Sequence, residues 1–436
     1  MMEDKDRAVS LLRQFLRIDT TNPPGNEEEA VLFLEGILSE AGIRSEIYKA
    51  APRRANLMAR IKGKKNGKPI VLLSHVDVVP AKAEEWDFDP FGGEIKDGFI
   101  YGRGAIDMKS QTICHLLAFM NLLGEGITPE QDILFLATGD EEVGGKFGVE
   151  YMVKHVEELR QASFVLSEGG WITKEGGVRH AQISVTEKNL AQFFIRANGT
   201  GGHGSRPFKD NANEKIINTA KKIAAHKWPF KSTKTVSTYF NGVFKGFKGD
   251  GFVFDNLKDT LKHKKFREFV EDNPVYNALL RNTVTLTVLR GGEKVNVIPT
   301  ESSAFFDARL LPGENYNQFM KKIGNLAGKE VEVVPISGGS KEPAPSGYNT
   351  PYFRSLIKAV SKIDGLLPVL PFITSGATDL RYFRELGSFA YGFFPVVLPR
   401  EEELRMHGVN ERISIAGLLE GMEGMKNIVK ELAKIK

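Results

Sequence analysis

Apolar and polar positions along the chain follow two rhythms. Residues 5–17, 27–41, 111–123, 213–226, 315–326, 352–363, 380–386 and 416–433 carry apolar side chains at helical spacing. Between them lie short apolar runs at 43–48, 56–61, 70–73, 132–137, 162–166, 369–372 and 390–394. Several of these, such as Ile70-Val71-Leu72-Leu73, are apolar at every position, which predicts strands buried on both faces. Helices alternating with such strands predict a layered α/β domain.

The rhythm changes after residue 187. Residues 189–197 (NLAQFFIRA), 283–290, 300–310 and 330–335 read as strands, separated by the helices 213–226 and 315–326. Strand-helix-strand-strand-helix-strand is the ferredoxin-like order. The expected organisation is a discontinuous domain, 1–186 with 340–436, and a second α+β domain, 187–339, inserted into it. A Pro/Gly-rich link, 341–351, leads back. The Phe-, Gly- and Lys-rich stretch 229–281 yields no expected element.

Composition narrows the function classes. With 436 residues the chain exceeds one ordinary core, and two domains are the expectation. Hydrophobic content of 41% and charged content of 26% are those of a soluble globular protein. Net charge is +4, with no basic tract that would suggest nucleic acid. No run approaches the roughly 20 apolar residues of a membrane span, and the first residues show no signal-peptide pattern. A cytoplasmic protein is expected. The single cysteine, Cys114, excludes an intrachain disulfide and a thiolate metal cluster. Any metal must sit on His, Asp and Glu, which suit zinc, manganese or cobalt.

Candidate chemistry gathers where strands end. The run into Ser74-His75-Val76-Asp77 projects His75 and Asp77 together, because side chains two apart on a strand share a face. A carboxylate there can hold the second nitrogen of a metal-bound imidazole. Asp107 follows a glycine turn (Gly102, Gly104) and precedes a helix, where an N-cap is the simpler role. Asp140-Glu141-Glu142 ends the strand 132–137, and three adjacent acids are costly unless a cation neutralises them. Glu168 ends the strand 162–166 before two glycines. The carboxyl ends of strands are where open α/β sheets place ligand sites. Two histidines with these acids suit a two-metal hydrolytic site, in which bound water is acidified and a free carboxylate moves its proton to a leaving amine. Glu141 and Glu142 can divide those tasks.

HVDVVP (75–80), YGRGAIDMK (101–109), GDEEVGG (139–145), SEGG (167–170), GGHGSRP (201–207), NVIP (296–299) and HGVNE (407–411) together resemble the motif set of the zinc aminoacylase/carboxypeptidase metallopeptidases. That family includes aminoacylase, carboxypeptidase G, carboxypeptidase S, acetylornithine deacetylase and succinyl-diaminopimelate desuccinylase. The motifs run in family order over essentially the whole chain. The texture is nearest carboxypeptidase S and aminoacylase.

The resemblance implies a catalytic α/β/α sandwich with an inserted ferredoxin-like lid and dimerisation domain. It implies two Zn2+ (or Co2+ or Mn2+), one on His75, Asp107 and Glu168, the other on Asp107, Glu142 and His407. Asp77 would orient His75, and Glu141 would be the general base. His203 would reach a partner subunit's site in a homodimer and stabilise an oxyanion. Asn296 and Arg309 would bind the substrate carboxylate, with Gly376 and Thr378 lining the same pocket. The implied reaction is cleavage of an amide next to a free carboxylate, in a short peptide or an N-acyl-amino acid. A two-zinc aminopeptidase and a non-catalytic amino-acid or peptide binder are the competing readings.

Overall fold

The computed structural model describes residues 2–175, 177–249, 251–338 and 343–436. The expected 339/340 boundary and the start of the 341–351 link lie outside them.

The strand Ile70–His75 shows how one segment builds three layers. All six residues are buried. Ile70 and Leu72 face one cluster, which includes the helices Met2–Leu16, Glu27–Glu40, Lys109–Gly124, Pro351–Val360 and Ile415–Leu432. Val71 and Leu73 face the opposite cluster, with Val149–His155 and Leu380–Glu385. Alternation along a strand that is apolar throughout therefore feeds two cores. The fold class is α/β, as the hydrophobic pattern predicts.

Among the described residues nine strands form one mixed sheet. Its order is Ser45–Ala51, Arg54–Ile61, Ile133–Thr138, Ile70–His75, Phe164–Ser167, Phe389–Gly392, Val178–Glu187 and Val369–Thr374, with Ile172–Glu175 hairpinned onto Val178–Glu187. Ile70–His75 runs parallel to Ile133–Thr138, in a register that pairs His75 with Thr138, and parallel to Phe164–Ser167. These three strands therefore end on one rim.

A second sheet is antiparallel throughout. Glu301–Leu310 lies between Thr283–Arg290 and Phe193–Asn198, and Glu332–Pro335 pairs with the far side of Phe193–Asn198. Ser302, Ala304, Phe306, Ala308 and Leu310 alternate inward. Ala304, Phe306, Ala308 and Leu310 join one core with the helices Ala212–Ala224 and Tyr316–Ala327. Chain order and pairing are those of a ferredoxin-like sheet. Lys188 alone separates Val178–Glu187 of the first sheet from Asn189–Leu190 of the second.

The stretch with no expected element, 229–281, includes the helices Lys234–Phe244, Lys264–Asp272 and Pro274–Leu280. Phe240, Phe244, Phe252, Phe254, Phe266 and Tyr276 form their own buried cluster with Leu370 and Phe372. The Tyr239 and Phe372 rings meet at 5.1 Å. This segment thus covers the strand Val369–Thr374 of the first sheet. Among the described residues no helix is long and apolar enough to cross a membrane.

Candidate metal centre

The shared rim brings together His75, the turn after Thr138, and Glu168. The turn is tight. Asp140 has φ +71, and Gly144 and Gly145 have φ +112 and +77, values that suit glycine but strain an aspartate. Asp140 is held there by its partners. It pairs with Arg54, accepts from Phe147 N at 2.9 Å, and accepts from Asn22 Nδ2 at 3.2 Å. Arg54 also pairs with buried Glu27 at 2.6 Å. Of the three successive acids, Asp140 therefore turns inward as a brace, which leaves Glu141 and Glu142 to the site.

Asp77 has two duties. Its backbone carbonyl accepts from His75 Nδ1 at 3.0 Å, while its carboxylate Oδ1 is 3.6 Å from that nitrogen. The carboxylate itself accepts from the backbone N–H groups of Glu141 and Glu142, both at 3.2 Å, and from Asn22 Nδ2 at 2.9 Å. The carbonyl fixes a proton on Nδ1 and leaves Nε2 as the nitrogen able to ligate. The carboxylate anchors the acidic turn.

Asp107 is not the N-cap of the helix Lys109–Gly124, a position Met108 occupies. Its Oδ1 lies 2.9 Å from His75 Nε2, and its Oδ2 lies 2.9 Å from His407 Nε2. Glu168 Oε1 is 3.6 Å from His75 Nε2, and Glu142 Oε1 is 3.4 Å from His407 Nε2. Candidate ligand atoms of His75, Asp107 and Glu142, and likewise of His75, Glu141 and Glu168, lie within 4.8 Å of one another. The five expected ligands and Glu141 thus converge.

The electrostatics fit a cation. Burial, then the charge of Glu168, raises the Glu141 carboxyl well above its usual range. Burial, then Asp107, pushes Glu168 up to about 8. Burial would lower the His75 imidazole, but Glu168, Asp107 and Asp77 hold it well above its ordinary value. Bonding to Asp107 and Glu142 pushes His407 up to about 10. Glu142 Oε1 is buried, with only the His407 ring, 3.4 Å away, to offset its charge. Crowded acids that hold protons, beside a buried carboxylate oxygen with one long contact, are what divalent cations relieve.

The other expected site residues lie elsewhere. His203 is exposed on a two-residue strand paired with Val297–Ile298, and its ring bonds Ser205 Oγ at 2.8 Å. Asn296 is its neighbour through a Gly204 N–H to Asn296 carbonyl bond of 2.8 Å. Arg309 lies on Glu301–Leu310 and donates to Asp307 at 2.9 and 3.3 Å. Thr378 is buried and donates through its hydroxyl to Glu187 at 2.6 Å. Gly376 is half-buried with open space where a Cβ would project.

A cavity of about 550 Å³ opens where the two sheets meet, lined by Lys188, Leu310, Tyr316, Ala377, Arg381 and Tyr382 among others. Burial, then Arg309, pushes the Lys188 ammonium down to about 7.

Sequence reasoning missed Asn22, Arg54, Arg103, Glu187, Asp379 and Glu411. Arg103 and Glu411 stood inside quoted motifs, and that position was the available signal. Asp379 is buried beside Gly145 with neither carboxylate oxygen hydrogen-bonded, and burial pushes it up to about 7 despite Arg381.

Comparison with known proteins agrees with this geometry. Residues 71–431 match the model of peptidase family M20/M25/M40. Aminoacylase-1A of Rattus norvegicus is 30% identical over 442 residues, covering 99% of this chain and 97% of the relative. The N-fatty-acyl-amino acid synthase/hydrolase PM20D1 of Mus musculus is 30% identical over 366 residues, covering 80% and 71%. The M20 family metallo-carboxypeptidase Sso-CP2 of Sulfolobus solfataricus shares the fold with a TM-score of 0.76 at 19% identity, covering 98% and 99%. Fold and site define a hydrolase of amide bonds with acidic residues positioned to bind metal. The chain belongs to peptidase family M20/M25/M40.

Proposed function

We propose that the chain is a two-metal hydrolase of the amide bond next to a free carboxylate, acting on N-acyl-amino acids or short peptides. The observation that carries this is Asp107, which offers one oxygen to each of two imidazoles at 2.9 Å. That is the arrangement of a bridging carboxylate. His75 and Glu168 would complete one cation's set, and Glu142 and His407 the other's. The donor set suits zinc, with cobalt or manganese as substitutes. Cations bound there supply positive charge that polarises an amide carbonyl and acidifies water.

The chain's own groups do the rest. Glu141 takes the proton of the attacking water and passes it to the leaving nitrogen. Its burial beside Glu168 raises its affinity for that proton. Asp77 holds the backbone of Glu141 and Glu142, so the base and the neighbouring ligand move as one turn. Arg309, Asn296, Gly376 and Thr378 are assigned to the substrate carboxylate, and His203 to the oxyanion. The exposure of His203 suits a contact completed by a second copy in a homodimer. We assign 187–339 as an inserted lid, with its helical part 234–280 leaning on the catalytic sheet. One relative at 30% identity is named an N-fatty-acyl-amino acid synthase/hydrolase and another an aminoacylase, which favours N-acyl-amino acids as substrates.

The test is a panel assayed with metal-loaded protein: N-acyl-amino acids, dipeptides with free and blocked amines, and the C-terminal amides of each. Release of amino acid from N-blocked substrates, lost on amidation of the carboxylate, supports the reading. Cleavage that requires a free amine would instead indicate an aminopeptidase.

A further inference from the structure

Two loops that lie far apart in sequence, 101–107 and 407–411, carry Asp107 and His407. A buried ion pair joins them. Arg103 Nη1 donates to Glu411 Oε2 at 2.7 Å, and the two side chains are 3% and 0% exposed. Glu411 Oε1 accepts from Ile106 N at 2.7 Å and from Asp107 N at 3.2 Å. Arg103 Nη2 donates to the backbone carbonyl of His407 at 3.3 Å, and Gly102 N donates to the carbonyl of Glu411 at 3.0 Å. Trp86 stacks over the guanidinium, 5.2 Å from its carbon. His407 and Asn410 both have left-handed backbones, with φ of +60 and +55. A loop in that conformation holds only if its surroundings over-determine it.

We propose that Arg103 and Glu411 are positioning residues that set the separation of Asp107 and His407, and so the affinity of the cation those two share with Glu142. Neither reaches the expected ligand atoms. Each acts on the backbone beside a ligand, Glu411 on the Asp107 N–H and Arg103 on the His407 carbonyl. The inference rests on the two-metal reading and adds a claim it does not contain. The two cation sites draw on the clip unequally, because His75 and Glu168 stand on strand ends held by the sheet ladder. His407 stands on a loop that the clip ties down. Removing a group that orients ligands lowers metal affinity by about 10–100-fold.

The experiment titrates metal-free protein with Zn2+ and, separately, Co2+, following stepwise binding by calorimetry and the Co2+ visible spectrum. Wild type, Glu411→Gln and Arg103→Lys are compared. Glu411→Gln keeps the volume but not the charge, and Arg103→Lys keeps the charge but loses the fork that reaches Glu411 and the His407 carbonyl together. Tenfold or greater weakening of one binding step in both variants, with a clearly smaller change in the other because Asp107 serves both cations, and the folded far-ultraviolet spectrum kept, is the expected result. Equal weakening of both steps would show a merely structural role and overturn the proposal. So would two unchanged steps. Wild type that binds no second ion would instead remove the two-metal reading itself. If Glu411→Gln does not fold, Arg103→Lys alone decides, since lysine can still pair with Glu411.

Discussion

Gly392 offers a sharp test of how the sheet places Glu168. It ends the strand Phe389–Gly392 and lies in register with Ser167, one residue before Glu168. A Cβ built on Gly392 would sit 1.8 Å from the Glu168 carbonyl oxygen and 2.7 Å from its carbon. Real Cβ contacts essentially never fall under 3.0 Å. Gly392→Ala must therefore open the two backbones by at least about 1.2 Å, and no flexible side chain is available to yield. Overpacking of this kind costs about 1–3 kcal/mol of stability. The displaced backbone is that of Glu168 itself, and a misplacement of about 1 Å lowers turnover about 100-fold. The control is Gly36→Ala in the helix Glu27–Glu40, where a Cβ meets nothing within 4 Å. That change should stabilise by about 0.5–1 kcal/mol and leave turnover unchanged. Urea unfolding, metal content and kcat/KM on an N-acyl-amino acid measure all three quantities. Wild-type kcat/KM and metal content in Gly392→Ala would refute the reasoning, because the strand would then be shown not to fix Glu168.

Three further outcomes follow from the same geometry. In metal-free protein, His407 is raised from 6.5 to about 10 and Glu168 from 4.5 to about 8, and His75 and Glu141 are raised too. The native state then binds more protons than the unfolded chain between about pH 5 and 7, so unfolding free energy should fall as pH rises across that window; above it Lys109 and Lys188, both pushed down to about 7 by burial, work in the opposite direction. Saturating zinc should flatten the slope, and a pH series of urea melts with and without metal checks both. Cation binding must displace those protons, so calorimetry in buffers of different ionisation enthalpy should show proton release at pH 7. With Arg309 on the substrate carboxylate, as proposed above, Arg309→Lys keeps the charge but loses the planar fork, and should raise KM about tenfold with a smaller change in kcat, as steady-state kinetics would show.

How much was legible depended on whether a residue's partners were local. Ile70–His75 and Ile133–Thr138 announced themselves because burial on both faces demands unbroken apolar runs. The strand Thr283–Arg290 and the helix Lys109–Gly124 matched their expected spans to within two residues. Val178–Glu187 had no expected counterpart. Its Gln182, Ser184 and Thr186 are buried, and the polarity of the first two is met by neighbours remote in sequence. Tyr239 donates to Gln182 at 3.3 Å and Thr374 to Ser184 at 2.6 Å. The helices within 229–281 were missed because their aromatic residues pack on one another and on Phe372, more than 90 residues on. In the site, the residues with candidate metal-ligand chemistry were readable from type and motif. Their supports were not, because bracing carboxylates such as Asp140 and Glu411 look the same in sequence as ligating ones. Asp77 shows both sides: its pairing with His75 was anticipated, but the carbonyl makes the shorter contact while the carboxylate holds the acidic turn.

Turnover by Glu141→Gln, with its metal content determined alongside, tests the general-base role most directly. Two ions per chain are expected in both wild type and variant, with KM within a few-fold of wild type and kcat lowered about 10²–10⁴-fold, the range lost with a general acid–base group. A Glu141→Gln enzyme that turns over at the wild-type rate with both ions bound would show that Glu141 is not the general base.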